Sequence, residues 1–455
     1  MAHRTRLEED ALGRVRLPAS ARWGPEAERA RRVFARLPLA HDPALVRAIA
    51  DIKVAAARVH ARTGHLPADV ARAIEEAALA GRIDGFRRAL VVPVYAAGAG
   101  TSLHMNLNEA ISRGATELLA GMGHPIRVDA HDHVNLHQST NDVIPTAIRL
   151  ACLDRLDRLH EALAACAATL RTRSTDAGGI LKAGRTHLQE AVPMRVADEL
   201  GSWASALSDS GLALRAAAEG MLEVPLGGAA VGTGWGLDPA YRAEVVAELA
   251  RHVRRAALRP APDPVAAVRG TGAFLGLGGA IRRLAGELGV LASDLRLLAS
   301  GPTSGPSEWE LPAVVPGSSH MPGKINPSVA EWVNQIVCHV MGADAAVSAA
   351  CAMGQLQLNA MLPVIAYHLP LELELLTIAL QGLDRHLLSG MRLKADRCQV
   401  GAGSTLGQAI LLGEKMGHVR VARWIREGAT LEPVPSAPSA TGEASPPGEG
   451  ADAGG

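Results

Sequence analysis

From about residue 137 to about residue 390 the chain reads as a succession of long helices with few breaks, and nothing else in it constrains the fold as strongly. Ile144, Ile148, Cys152, Leu156 and Leu159 recur at helical spacing, and so do Ile281, Leu284, Leu288 and Leu291. Late in this region Pro363 and Pro370 bound or kink one helix. Helices of this length bury their apolar residues most simply against one another, as a bundle. Aromatic residues make up only 3% of the chain, while Ala, Leu and Val are abundant, which favours packed helices over sheets. The expected fold is therefore mainly all-α. Because the long helices are apolar nearly all round, a lone chain would expose a large greasy surface, which predicts association of several chains.

The flanking regions differ in texture. Residues 1–136 read as a mixed domain of short helices and loops, in which a Gly/Ala turn at 96–100 leads into Thr101 and Ser102. Residues 137–390 form the bundle domain, and 391–427 a small helical domain. Residues 428–455 are rich in Pro, Ala, Ser and Gly with little to bury, and a disordered tail is expected there. The formal charge is zero and no basic stretch is interleaved with aromatics, which argues against nucleic acid as a partner. Five scattered cysteines in apolar contexts read as reduced core thiols, not as disulfides or a zinc site. No apolar run reads as long enough to span a bilayer, and MAHRTRLEEDALGR offers no signal-like segment. A cytoplasmic protein without a membrane partner is expected.

The chemistry concentrates in residues 317–327, GSSHMPGKINP. Gly317 and Gly323 permit tight turns, Pro322 and Pro327 stiffen the loop, and Ser318, Ser319, Lys324 and Asn326 supply hydroxyls, one ammonium and an amide. Only five of the 46 basic residues are lysine, so a Lys here indicates a need for a compact point charge. Such a loop suits a small dianion. GAGTS brings Thr101 and Ser102 after a turn; QSTND brings Ser139, Thr140 and Asn141 ahead of a helix that Pro145 helps to initiate. By itself QSTND could equally be an ordinary capping box. GRTHLQ contributes Thr186, His187 and Gln189. Metal-ligand spacings and a phosphate loop are absent, so neither metal nor cofactor is expected.

These segments occur in a fixed order with ALGRVRLPASARWGPEAERA (11–30), GAGTSLHMNLNEA (98–110), HVNLHQSTNDVIPTA (133–147), GRTHLQEAVP (184–193), LGGAAVGTG (226–234), SDLRLLASGP (293–302) and EWVNQ (331–335). In that order they resemble the fumarase/aspartase superfamily, closest to aspartate ammonia-lyases and class II fumarases, from about residue 10 to about residue 365. The resemblance implies a homotetramer whose core is the central bundle, with each active site shared among three subunits. It implies anti-elimination across a succinate skeleton, through a doubly charged enediolate, to release fumarate. In that chemistry Thr101, Ser102, Ser139, Thr140, Asn141 and Thr186 contact the substrate carboxylate or leaving group. His187, paired with Glu331, orients substrate and relays the leaving group's proton. Ser318 is the general base, Ser319 donates to the carboxylate gaining charge, and Lys324 and Asn326 hold the other carboxylate. A serine can serve as base only if its oxyanion is held by backbone N–H groups and nearby positive charge.

Ala99 and Thr140 take the form usual in aspartases, so ammonia elimination from L-aspartate or an aspartate-like amino acid is the expected reaction. A lyase for an N-substituted or modified aspartate, a fumarate hydratase and a non-catalytic scaffold are the alternatives. Several positions depart from the family pattern: Leu103 and His104 in TSLHMN, His320 in the loop, Ala229, Gln357, and a C-terminal region without the usual ALNP pattern. They suggest a reshaped pocket.

Overall fold

The computed structural model describes residues 4–428, except Ala97 and Ser404; the expected tail lies outside them beyond Gly428. Contacts divide the chain into two units. The first contains residues up to Ala165 together with Leu207–Ala292 and Glu331–Leu383; the second contains Cys166–Ala206, Ser293–Ala330 and the chain from Asp384 onward. The fold is mainly α, with five long helices in the central region: Thr140–Ala177, Val196–Ala218, Gly272–Leu298, Ser328–Ala352 and Leu362–Leu383. Both expected apolar stripes are buried, every one of their nine residues at most 2% exposed. Burying one Leu or Ile side chain contributes roughly 1.5–3 kcal/mol, enough for these stripes to decide which helix face turns inward. Cys152, Cys166, Cys351 and Cys398 are buried free thiols, while Cys338 is exposed in the single chain.

Within the first unit, Gly272–Leu298 and Ser328–Ala352 approach closely. A Cβ at Gly289 would lie 3.2 Å from Val337, and one at Gly278 2.9 Å from an Asp344 oxygen. Asn334 donates to the Gly289 carbonyl at 3.1 Å, and Arg282 pairs with Asp344 at 2.5 Å. The pairing of 278 with 344 and 289 with 337 makes these helices antiparallel. The N-terminal part holds longer helices than its sequence suggested, notably Pro43–Arg62 and Thr101–Gly121. Asp42 explains the first: its carboxylate accepts from the N–H groups of Ala44 and Leu45, Pro43 presets the first turn, and an alanine-rich run follows.

Among the described residues, four two-stranded sheets interrupt the helices. The one that carries Thr186 and His187 lies in the second unit, where Leu181–Thr186 pairs antiparallel with Gln189–Arg195. His187 and Leu188 form its two-residue turn with φ of 56° and 59°, the both-positive geometry that suits the twist of a tight hairpin. This stretch falls inside the region expected to consist of long helices; its turn carries no sequence signal, because neither residue is the Asn or Gly that usually announces one. The hairpin base is anchored by Lys182, 1% exposed, whose ammonium lies 2.6 Å from Glu199 and 2.8 Å from Glu308. Arg185 reaches Glu308 at 2.7 Å.

The expectation about apolar runs is corrected by Ser328–Ala352 and Leu362–Leu388, which are long and apolar enough to cross a membrane by length and composition. A helix buried among other helices needs the same apolar residues as one in lipid, and Ile365, Leu369, Leu373, Leu376 and Leu380 of the second are all 0% exposed.

The second of these helices also carries Glu372, which is fully buried and whose two oxygens have no hydrogen-bond partner among the described residues. Burial, with the Asp344 charge adding to it, pushes its carboxyl from 4.5 up to about 9. A raised carboxyl stabilises the fold fully below its unfolded value and less and less as pH climbs through the folded one, because ionisation is then resisted only in the folded chain. Glu372→Gln is therefore expected to melt several degrees above wild type near about pH 8 and level with it near about pH 4, measured by thermal unfolding across pH.

Candidate active site

In the first unit, the chain enters Thr101–Gly121 through a tight turn in which Gly100 has φ 96°. A Cβ there would meet the Ile144 side chain at 3.0 Å, so this turn lies against the first turn of Thr140–Ala177. Thr101 is exposed and Ser102 half-buried at the helix start. QSTND does form a capping box: the Asp142 carboxylate accepts from Ser139 N–H at 3.0 Å, and Ser139 Oγ accepts from Asn141 N–H at 3.2 Å. Capping and anion binding are compatible, because Ser139 Oγ only accepts in the cap and keeps its own hydrogen for a ligand, while Thr140 and the helix dipole remain too. The Asn141 amide donates to the Ala230 carbonyl at 2.8 Å, tying this segment to LGGAAVGTG.

Asp142 and Lys53 organise this region, and neither was among the residues expected from the sequence. The other Asp142 oxygen accepts from the N–H groups of Gly227 at 3.1 Å and Ala229 at 3.0 Å. Burial raises its carboxyl to about 7 against the pull of those N–H groups and of Lys53. Lys53, 0% exposed, donates to Asn135 Oδ1 and Gln138 Oε1 at 2.9 Å each and meets His104 Nε2 at 2.7 Å. Three acceptors match the three hydrogens of an ammonium, although burial lowers the Lys53 pKa and only Asp142 opposes it. With Lys53 as the ammonium, which has no lone pair, His104 Nε2 accepts. Burial, then the Lys53 charge, keep His104 neutral. Its hydrogen therefore sits on Nδ1 and is donated to Thr140 Oγ1 at 2.9 Å, which leaves the Thr140 hydroxyl hydrogen free for a ligand. The scarcity of lysine was the signal that could have drawn attention to Lys53; its partners lie too far along the sequence to be inferred. Glu331 also belongs to this unit, half-buried in the first turn of Ser328–Ala352.

The second unit holds the remaining expected groups. Thr186 and His187 are exposed at the hairpin tip. The loop at 317–327 crosses itself: a Cβ at Gly317 would lie 2.0 Å from the Lys324 carbonyl oxygen, so only glycine fits. The Asn326 amide donates to the Gly317 carbonyl at 2.5 Å and holds that crossing closed. Gly323 turns with φ 79°. Within the loop Ser318 Oγ accepts from two backbone N–H groups, His320 at 3.1 Å and Met321 at 2.9 Å. Ser319 and Lys324 are exposed on the same loop. A hydroxyl oxygen receiving two N–H donors is half-way to a stabilised oxyanion.

A protein-family model described as Lyase matches residues 13–342. The chain belongs to this lyase family, within the fumarase/aspartase superfamily. A Pseudomonas aeruginosa protein named aspartate ammonia-lyase is 40% identical over 421 residues, 91% of this lyase and 88% of that protein. A Pseudomonas putida protein named fumarate hydratase class II is 37% identical over 440 residues, 94% and 93% of the two chains. The crystal structure of class II fumarase from Schistosoma mansoni superposes with a TM-score of 0.89 at 30% identity, covering 93% of the lyase and 92% of that chain. Relatives of both names align along nearly the whole length, so the lyase class is established while the leaving group is not decided by similarity.

Proposed function

We propose that the protein is a carbon–nitrogen lyase that eliminates ammonia from L-aspartate or an aspartate-like amino acid to give fumarate. The observation that carries this reading is the pair of N–H groups on Ser318 Oγ, the support a serine base requires. Ser318 takes the proton from the carbon beside one carboxylate, and the electron pair passes into that carboxylate as an enediolate. The pair then forms the carbon–carbon double bond as the amine leaves, with His187 relaying its proton and Glu331 orienting the imidazole. Thr101, Ser102, Ser139, Thr140, Asn141 and Thr186 hold one end of the substrate and the leaving group. Ser319 donates to the carboxylate gaining charge, and Lys324 and Asn326 hold the other carboxylate. No cofactor enters this scheme. The assembly is a homotetramer sharing its sites among subunits, and the exposed Val290, Trp332 and Ile378 on the long helices supply apolar surface for it. The compartment is the cytoplasm.

The aspartase forms Ala99 and Thr140 favour ammonia as the leaving group. His104, buried behind Thr140, favours a modified aspartate as the second reading, since it alters which donor the site presents. Ultraviolet absorbance of fumarate formed from aspartate, malate and several N-substituted aspartates tests both. Turnover of aspartate above the others supports the proposal; turnover of malate alone overturns it in favour of a hydratase. Lys324→Arg is expected to lower turnover about a hundred-fold although the charge is kept, because a longer planar cation displaces the bound carboxylate. Steady-state kinetics on the preferred substrate checks this.

A further inference from the structure

His60 and His65, five residues apart, converge in the first unit with His137, which stands just ahead of QSTND. His60 lies in the last turn of Pro43–Arg62, His65 in the following loop, and His137 just ahead of Gln138. One ring nitrogen from each lies within 4.8 Å of the others. The hydrogen bonds around them preset the rings. His60 Nε2 donates to the Leu136 carbonyl at 2.9 Å, so its Nδ1 carries a lone pair. That atom is buried in a residue 1% exposed and has no hydrogen-bond partner among the described residues. Thr63 Oγ1 gives its hydrogen to the Val59 carbonyl at 3.0 Å and so accepts from His65 Nδ1 at 2.8 Å, which leaves the lone pair of His65 on Nε2. His137 Nδ1 is a second buried nitrogen with no hydrogen-bond partner among the described residues, on a residue held at φ 56°. Asp238 caps the helix Pro239–His252 with one oxygen and places the other 3.7 Å from His65 Nε2.

We propose that His60, His65 and His137 bind one divalent transition-metal ion of the zinc class, with Asp238 or water as the fourth ligand. Three neutral imidazoles, two with their other nitrogen donating to an oxygen, are the donor set and outer support such ions take. A tetrahedral ion with nitrogens at about 2.0–2.1 Å sets them about 3.4 Å apart, so the rings must draw in by no more than about 1.4 Å. His65, on an exposed loop, can supply that movement. The bound ion would tie the end of Pro43–Arg62 to the segment entering QSTND and hold His137 in its strained conformation. This is a structural clamp behind the substrate groups and takes no part in the elimination.

Cobalt(II) titration of the tag-free, chelator-treated full-length chain tests it. The expected result is one cobalt per chain with the intense visible absorption of four-coordinate cobalt, displaced by zinc, and a melting temperature that rises on loading. His65→Ala and His137→Asn, each checked for native helicity by circular dichroism, are expected to weaken cobalt binding by at least about 10–100-fold and to abolish the rise in melting temperature. Wild type without stoichiometric cobalt, or wild-type affinity in either variant, would overturn the site and leave a histidine cluster packed on Tyr241, whose ring stacks on His60 at 4.6 Å.

Discussion

Ser318→Ala is expected to cut turnover by about two to four decades while leaving KM nearly unchanged, the range over which a general base contributes. The expectation rests on one atom. Ser318 Oγ already receives His320 N–H at 3.1 Å and Met321 N–H at 2.9 Å, so the donors that would stabilise its ionised form are in place before substrate arrives. Lys324, six residues on in the same self-crossing loop, supplies positive charge. Alanine removes the proton acceptor but leaves Lys324 and Asn326 to bind the carboxylate. His187→Ala should instead raise KM and lower turnover together, because that side chain orients substrate and serves the leaving group. If each site draws these residues from different subunits, mixing the two inactive variants should restore part of the activity through hybrid tetramers. Deuterium exchange at the carbon-bound position separates the roles. Wild-type exchange in Ser318→Ala would mean that another group removes the proton.

Lys53→Met is expected to destabilise the protein by about 3–5 kcal/mol, the cost of removing one partner from a buried polar cluster. Methionine keeps the four-atom stem of lysine and suits an apolar interior, so the loss isolates the ammonium. Without it His104 Nε2, Asn135 Oδ1 and Gln138 Oε1 lose a common donor inside the fold. Each stranded acceptor costs about 1–3 kcal/mol before relaxation. A functional effect should accompany the structural one. His104 is then free to move its hydrogen to Nε2, and Thr140 must donate to Nδ1, turning its hydroxyl away from a ligand. A lower denaturation midpoint together with a higher KM is the expected pair of results. Unchanged stability would show that Lys53 is dispensable in its cluster.

Much of this protein is legible along the chain because the relevant physics is local. Ile144 to Leu159 and Ile281 to Leu291 each line one helix face, and both stripes are buried. The hydroxyls, amide and cation of the loop at 317–327 are visible in its composition, and Gly317 marks where backbone must cross backbone. The hairpin at 181–195 was not legible. Its turn is built from His187 and Leu188, residues without turn preference, and its base is held by Glu308, more than a hundred positions from the tip.

By itself, the sequence determined that the chain is mainly helical, since propensity and periodicity act between near neighbours, and its ordered motifs placed it in the lyase family. Tertiary structure alone decided how the polar groups of the candidate site are supported. Lys53 meets His104, Asn135 and Gln138 across 51, 82 and 85 positions, and His60, His65 and His137 gather from a helix end, a loop and the approach to another helix. Helical periodicity reports which face of a segment is buried, but not which distant segment lies against it; a buried charge or an orphaned imidazole nitrogen has meaning only once that neighbour is in place.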